Sequence, residues 1–168
     1  RNIEAVKKAI DDGASVNAYD WLESGSTLLH YAETKEIVEL LIANGANVNA
    51  WNDNGETPLD YNRSMQEHLR AHGAKHSSIH SAARYGDVRG VEEFLDAGVD
   101  VNAAGHYEMT ALHLSAKHRH REVVELLIKR EANVNAMDIQ DTPLDLANSI
   151  PEIANLLRKH GGKTGEEL

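Results

Sequence analysis

The stretch "EIVELLIANGANVNA" at residues 36–50 returns almost unchanged as "EVVELLIKREANVNA" at residues 122–136. Its apolar residues recur at helical spacing and leave the charged residues on the opposite side, which predicts a helix with one buried face. Gly45 follows, and a glycine readily adopts the left-handed conformation at which many helices end. Such a close copy at a fixed position within a longer pattern indicates an internally repeated fold.

Looser copies of the same stretch lie at 4–18 and 89–103, with truncated copies at 64–75 and 151–163. A second piece precedes most of them, as "TLLHYA" at 27, "TPLDYN" at 57, "SIHSAA" at 78, "TALHLSA" at 110 and "TPLDLA" at 142. In the last of these, Thr142 is placed to cap a short helix and Pro143 fits its first turn. Five first pieces and six second pieces therefore predict a unit of turn, helix, helix and turn. No single helix pair can bury its apolar stripe alone, so the units must stack.

Comparison of equivalent positions in the copies predicts which residues form the core and which repeat is weak. Leu41, Leu126 and Leu156 are predicted core residues, and His68 is placed at the same position, so its repeat should be locally weak. The repeats at 27–50, 57–73 and 142–161 lack two or three residues between their helices, which predicts tight turns there.

The combined pattern "G-x-TPLH-x-A…EIVELLI-x-x-GA-x-VNA" resembles the ankyrin repeat over nearly the whole chain. The resemblance implies an all-α solenoid of stacked helix-turn-helix pairs, about five and a half repeats long, with β-hairpin fingers that build a concave face. His30, His80 and His113 match the family's structural histidine, which bonds backbone between repeats. Asp60 and Asp145 replace it.

The stretch "LRAHGAK" at 69–75 is similar to "LRKHGGK" at 157–163, and a new opening helix with Ser77 or Ser78 as its cap follows the first of them. We interpret this seam as the product of a duplication, with one array at 1–76 and a second at 77–168, stacked as one solenoid that lacks a finger at the junction. The copy at 4–18 has no preceding helix. Ile3, Val6 and Ile10 should therefore be partly uncovered, and we expect the chain to be part of a longer protein.

The net charge of −10 divides evenly, because residues 1–76 hold 7 basic and 12 acidic groups and residues 77–168 hold 10 and 15. Phosphate binding needs clustered basic residues, so nucleic acid is disfavoured as a partner. The chain has no Cys, which excludes disulfides and thiolate nucleophiles. No apolar run reaches membrane-spanning length. We expect a cytoplasmic monomer.

Catalytic patterns are not found in the sequence: it has no GxSxG, no phosphate-binding loop and no HExxH. His118 and His120 near Glu122 could hold a metal loosely, but structural zinc normally needs four converging ligands. We therefore expect no enzyme activity, no cofactor and no metal site.

Function should reside in the fingers and inner helices, because these positions bind other proteins in the ankyrin family. Large apolar side chains at finger tips are residue types that dominate binding energy. The predicted partner-binding residues are Trp21, Leu22, Trp51, Tyr107, Met137 and Ile139 in the fingers, with Glu33, Arg84 and Lys117 on the inner helices. Alternatively, the apolar tips fold back on neighbouring fingers and stiffen them.

Acidic residues near the fingers favour a basic or amphipathic partner segment, although a solvated acidic surface is the alternative interpretation. They are Asp20, Glu23, Asp53, Glu56, Glu108, Asp138 and Asp141. The competing function is a structural or regulatory segment of a larger, enzymatic protein that makes intramolecular contacts.

The resemblance also implies a modification site, because asparagine hydroxylases act on the "VN" position of some ankyrin proteins. That position is occupied by Asn17, Asn49, Asn102 and Asn135. Their plainer role is to hold the turn after the second helix, and this is the role we predict.

Overall fold

The computed structural model describes residues 2–22 and 24–168, so Glu23, one of the acidic residues near the fingers, lies outside the described part. The chain divides into two compact units, Arg1–Ser77 and Ser78–Leu168, here called unit 1 and unit 2. Both are built from short helices, and the only β-pairing in the described residues is an isolated bridge between Tyr19 and Thr27. That the two arrays arose by duplication and stack as one solenoid stays a prediction.

Unit 2 consists of three helix pairs. The inner helices are α5 (Ile79–Tyr85), α7 (Ala111–Lys117) and α9 (Pro143–Leu146), and the outer helices are α6 (Val88–Asp96), α8 (Arg121–Lys129) and α10 (Pro151–Lys159). Neighbouring inner helices pack against one another in the order α5, α7, α9, and the outer helices do so in the order α6, α8, α10. Ser78, Thr110 and Thr142 cap the inner helices with their hydroxyl oxygens, which confirms the caps predicted at Thr142 and at Ser77 or Ser78.

Unit 1 repeats this plan with shorter inner elements. Its outer helices α1 (Ile3–Asp11), α2 (Lys35–Ala43) and α4 (Gln66–Ala71) pack in that order, and α4 follows a 3₁₀ turn at Arg63–Met65. The inner helix α3 (Pro58–Tyr61) is a single turn.

The first inner element of unit 1 corrects the sequence analysis. Residues 27–31 form a turn, not the predicted helix, with backbone bonds from His30 N to Thr27 O (3.0 Å) and from Tyr31 N to Leu28 O (3.2 Å). Only Ala32 and Glu33 separate this turn from Thr34, the cap of α2. The chain must therefore reverse before a second helical turn can form.

The predicted core positions were off by one residue in two helices. Leu41 is fully buried, but its counterparts in the aligned copies are Leu127 and Leu157, which are also fully buried. Leu126 and Leu156 are only partly buried and pack against the edge of the core. His68 belongs to this second group, and the core position of its helix is occupied by the fully buried Leu69. The reason offered for a weak repeat at His68 was therefore wrong.

The asparagines of the "VN" motif join successive repeats within each unit. The carboxamide oxygen of Asn17 accepts from Asn47 N (2.7 Å), and its amide donates to Gly45 O (2.9 Å). Asn49 and Asn135 bond Lys75 and Lys163 in the same way, and Asn102 accepts from Asn133 N. Satisfying backbone groups after the outer helix is the role that the sequence analysis favours for these residues.

Four loops occupy the places of the predicted β-hairpin fingers, at residues 19–27, 51–57, 103–110 and 137–142, and are called fingers 1 to 4. They contain no β-strand within the described residues, which corrects the β-hairpin prediction. Each has a backbone bond between its two sides: Asp20 N to Ser26 O, Asn52 N to Glu56 O, Gly105 N to Met109 O and Asp138 N to Asp141 O. In finger 1 the isolated bridge between Tyr19 and Thr27 adds to this pairing, but within the described residues it does not extend into a strand pair.

The apolar face of α1 is partly uncovered in the described part of unit 1. Ile3, Val6 and Ile10 are each partly buried, and no residue of α1 is fully buried. A groove of about 200 Å³ lies beside Val6, Ile10 and Leu28. The aligned Val91 of α6 is fully buried in unit 2, where α5 packs against α6.

Candidate functional site

All nine predicted partner-binding residues are exposed. In the fingers, Leu22 is 96% and Trp21 86% exposed, followed by Ile139 (63%), Tyr107 (61%), Trp51 (58%) and Met137 (47%). On the inner side of the repeats, Glu33, Arg84 and Lys117 are exposed as well. Their accessibility meets the first requirement for contact with a partner.

Three of these residues, from three separate elements, line one cleft of about 390 Å³ in unit 2. Tyr107 comes from finger 3, Lys117 from the last turn of α7, and Ile139 from finger 4. The remaining lining residues are Met109, Asp138, Gln140, Asp141 and Leu146. The cleft thus combines apolar side chains from both fingers and from α9 with charged side chains of both signs.

Finger 3 positions Tyr107 through a left-handed turn. Tyr107 has φ 58° and ψ 32°, and Glu108 has φ 59°, a backbone region that residues other than glycine rarely adopt. The turn is closed by Gly105 N donating to Met109 O (2.8 Å). The Tyr107 ring stacks on the His106 ring with centroids 4.0 Å apart. Tight closure and stacking hold the phenol ring in place while leaving most of it exposed.

Finger 4 is organised by Asp138. Its Oδ1 accepts from Gln140 N (2.8 Å) and Asp141 N (2.7 Å), which folds the tip into a tight turn. Partial burial acts to raise the pKa of Asp138, but the two N–H donors favour the anion and bring the pKa below its ordinary value. Asp138 therefore stays ionised and fixes Ile139 at the tip.

A buried histidine anchors finger 4 to the inner helix. The Nδ1 atom of His113 accepts from Thr110 N (3.1 Å), so its Nε2 carries the proton that is donated to Asp141 O (3.2 Å). Burial lowers the pKa of His113, and the bond to Asp141 only partly opposes this shift. His30 bonds Glu56 O in unit 1, and His80 bonds Ala103 O in unit 2. The predicted structural role of these three histidines is confirmed by these bonds.

The other predicted residues do not join this cleft. Glu33 lines a separate cavity of about 310 Å³ in unit 1, together with Tyr31, Tyr61 and Arg63. The rings of Tyr31 and Tyr61 meet edge to face, with centroids 5.4 Å apart. Both are partly exposed and were missed by the sequence analysis, although each directly follows the His or Asp of its repeat.

Two fingers show partial fold-back of their aromatic tips. The Trp51 ring lies over Gly55 of its own finger, 3.9 Å from where a Cβ atom would stand. The Trp21 ring meets Tyr19 edge-on at 6.1 Å but remains almost fully exposed. The alternative in which apolar tips stiffen the fingers thus has some support at Trp51.

Within residues 2–22 and 24–168, no group of three or more His, Asp or Glu side chains is placed to hold a metal ion. In the same part of the chain, no helix is long and apolar enough to span a bilayer.

Comparison with known proteins agrees with the repeat geometry. The model of ankyrin repeats in three copies matches residues 79–166, and a second ankyrin repeat model matches residues 33–61. The chain belongs to the ankyrin repeat family. The ankyrin repeat domain of human ASB11 superposes on 99% of this chain and 84% of that structure, with a TM-score of 0.71 and 25% identity. The predicted all-α ankyrin fold is confirmed.

The relatives that this chain matches are larger proteins, each similar to it over only part of its own length. An L-asparaginase from Dirofilaria immitis is 28% identical over 89% of this chain, and the ankyrin repeat and KH domain-containing protein mask-1 from Caenorhabditis elegans is 42% identical over 48% of it. The chain spans only 28% of the first of these proteins, and its match to the second covers 3% of that protein. Ankyrin repeats generally mediate protein–protein interaction, and their fold is typically non-catalytic.

Proposed function

We propose that this chain is a non-catalytic protein-interaction module that binds a partner through its finger tips and inner helices, with the cleft of unit 2 as the main contact site. The observation that carries the proposal is the convergence of Tyr107, Lys117 and Ile139 on that cleft. Binding energy at protein interfaces concentrates in a few large side chains that fill pockets on the partner or offer pockets to it. Trp21, Leu22, Trp51 and Met137 would then extend the contact, with Glu33 and Arg84 at its polar edge.

Charge supports a basic or amphipathic segment as the partner. The acidic side chains around the fingers favour encounter with positive charge, and they disfavour the phosphates of nucleic acids and anionic membranes. We further propose that the chain acts as a cytoplasmic monomer without a cofactor.

Affinity capture from the source organism tests the proposal. Two variants are compared with the unaltered chain, each verified by circular dichroism: Tyr107→Ala/Ile139→Ala in the cleft, and Trp21→Ala/Leu22→Ala in finger 1. We expect one or more proteins to be captured by the unaltered chain, to be captured less by the finger 1 variant, whose residues only extend the contact, and to be lost from the cleft variant. If the unaltered chain and both variants captured the same proteins, the cleft would not be the main contact site.

A second function is favoured by the similarity of 89% of this chain to part of an L-asparaginase. In this alternative the chain is a regulatory segment of a larger enzyme, and the same cleft contacts another part of its own protein. The full-length gene product distinguishes the two functions. If it hydrolyses asparagine and the cleft variant changes that activity, the intramolecular function is supported; unchanged activity would favour a separate partner.

A further inference from the structure

The charged side chains of the unit 2 cleft indicate which partner segment fits it. We propose that the cleft binds an extended segment of a partner protein in which a large apolar side chain is flanked by one acidic and one basic residue. This inference rests on the proposed function and specifies the partner of the same site.

The apolar anchor follows from the lining of the cleft. Tyr107 and Ile139 stand on two different fingers and remain mostly exposed, and the side chain of Leu146 lines the cleft from α9. A space of about 390 Å³ accommodates one large side chain and part of its neighbours. Inserting an apolar group there removes apolar surface of both partners from water, which is the main favourable contribution to such contacts.

The acidic neighbour follows from Lys117. Its side chain is exposed at the end of α7, and in the described part of the chain it makes no ion pair and no hydrogen bond. Several arginines of unit 2, in contrast, are in ion pairs, including Arg121 with Glu125, Arg130 with Asp96, and Arg158 with Glu167. Lys117 acts on the neighbouring Asp138 only by electrostatic attraction without an ion pair, so it offers a cation at the edge of the cleft with which a carboxylate of the partner can pair.

The basic neighbour follows from the two aspartates of finger 4. The Asp141 carboxylate accepts no hydrogen bond within the described residues, since only its backbone groups are bonded, to His113, Asp138 and the Asp138 side chain. The nearby Asp138 is held ionised by the two N–H donors of its turn. Two carboxylates next to one cation leave this cleft with an excess negative charge, which a Lys or Arg of the partner would neutralise.

A peptide-display selection tests both charges separately. Random peptides are selected on the immobilised chain and on three folded variants: Lys117→Glu, Asp141→Lys and Ile139→Asp. We expect the unaltered chain to enrich peptides with an apolar residue between an acidic and a basic one. Lys117→Glu should replace the acidic preference by a basic one, Asp141→Lys should replace the basic preference by an acidic one, and Ile139→Asp should abolish enrichment.

Affinity measurements on a synthetic copy of the leading peptide then quantify the pairing. Fluorescence anisotropy should show about fivefold weaker binding to Lys117→Glu, in the range expected for an exposed ion pair and its reversal. Binding should recover when the acidic residue of the peptide is changed to Lys. This rescue would not occur if Lys117 only supported the fold.

The outcomes separate this inference from the proposed function. If Ile139→Asp loses binding but Lys117→Glu and Asp141→Lys select the same peptides as the unaltered chain, the cleft is a binding site and the charge inference is overturned. If Ile139→Asp selects the same peptides as the unaltered chain, or no peptide is enriched at all, the cleft itself is overturned as the contact site.

Discussion

Units 1 and 2 are built from the same recurring sequence, yet their inner elements differ in length. In unit 2, α5 and α7 each have seven residues, whereas in unit 1 the first inner element is only a turn and α3 has four residues. The short α9 of unit 2 shows that the unit itself is not the cause. All three short elements precede the contracted connections "AETKE", "YNRSM" and "ANSIPE", so the room before the next outer helix sets the length of the inner one.

Exposed aromatic residues also distinguish the units. Tyr19, Trp21, Tyr31, Trp51 and Tyr61 are exposed in unit 1, and in unit 2 only Tyr107 is exposed to a similar degree among the described residues. Because both tryptophans lie in unit 1, tryptophan fluorescence reports on that unit alone, while far-ultraviolet circular dichroism reports on both. This difference makes it possible to follow the two units in one experiment.

The largest expected effect comes from emptying the core positions that correspond between the units. Leu41→Ala in unit 1 and Leu127→Ala in unit 2 should each lower the free energy of unfolding by about 2 to 5 kcal/mol, because both leucines are fully buried. Urea unfolding of Leu41→Ala should shift the fluorescence midpoint. Leu127→Ala should shift the circular dichroism midpoint.

The neighbouring Leu126 is the matched control. It is only partly buried, so Leu126→Ala should cost less than Leu127→Ala. An equal or larger loss for Leu126→Ala would contradict the core assignment of α8. If Leu127→Ala moved the fluorescence midpoint as well, the two units would unfold together.

A smaller effect is expected at the turn between α5 and α6. Gly86 has φ 76°, and a Cβ atom there would stand 2.4 Å from Nδ1 of His120, whose ring is held by its bond to Arg84 O. Gly86→Ala should therefore destabilise unit 2 by about 2 kcal/mol or more, since strain adds to the left-handed conformation. Gly98 has φ 87° and open space around it, so Gly98→Ala should lower the free energy of unfolding only by the cost of placing alanine in the left-handed conformation, about 1 kcal/mol. Equal losses, measured by urea unfolding, would show that His120 moves aside freely.

The sequence was sufficient to predict the repeat, the caps and the structural histidines, because each depends on residues close together in a pattern. Thr142 and Pro143 fit the start of a helix by local chemistry alone. The core position in α8 was harder to predict, because Leu126 and Leu127 are adjacent and the rotation of the helix against its neighbours decides which one is buried. Residues 27–31 form no helix because the connection that follows them is short. The helix propensities of the residues themselves do not reveal this constraint.

The binding residues could be predicted as exposed but not as a group. Tyr107, Lys117 and Ile139 are far apart in sequence and meet only because fingers 3 and 4 rise beside α7. The pair Tyr31 and Tyr61 was missed because each tyrosine ends an inner element, a turn at Tyr31 and α3 at Tyr61, at a sequence position where an aromatic residue is also compatible with the core. Only the stacking of adjacent repeats brings the two rings together at the surface.

A pH effect should be shared by both units because each contains a buried histidine, His30 or His113, that bonds a backbone carbonyl of the next finger. Burial lowers the pKa of His30 and His113 below the ordinary value of 6.5, so the unfolded chain binds more protons than the folded chain between the two values. The free energy of unfolding should thus be highest above pH 6.5 and fall as the pH decreases below 6.5 towards the lowered pKa values. The lowered pKa of Asp145 acts separately, below about pH 4.

Replacing both histidines isolates their contribution. The His30→Gln/His113→Gln variant keeps a neutral donor at each site and should lose this slope of stability below pH 6.5 in urea titrations, although it starts from a lower value at pH 7.5. A slope equal to that of the unaltered chain would assign the effect to other groups. Single variants would show, by fluorescence and circular dichroism, which unit responds to which histidine.

The smallest effect is a gain in stability at the end of α8. Glu131 has φ 65° at the position where Gly45 and Gly161 stand in the aligned repeats, with φ 84° and 86°. A residue with a Cβ atom is strained in this conformation, so Glu131→Gly should raise the stability of unit 2 by about 0.5 to 1 kcal/mol, the relief of strain being partly offset by the greater freedom of glycine in the unfolded chain. The reverse change, Gly45→Glu, should lower the stability of unit 1 by a similar amount in the same urea titration. If Glu131→Gly were destabilising instead, the glutamate side chain would stabilise this turn by more than its left-handed backbone conformation costs. The glutamate that distinguishes the repeat at 122–136 from its close copy in unit 1 would then be a stabilising residue and not a strained one.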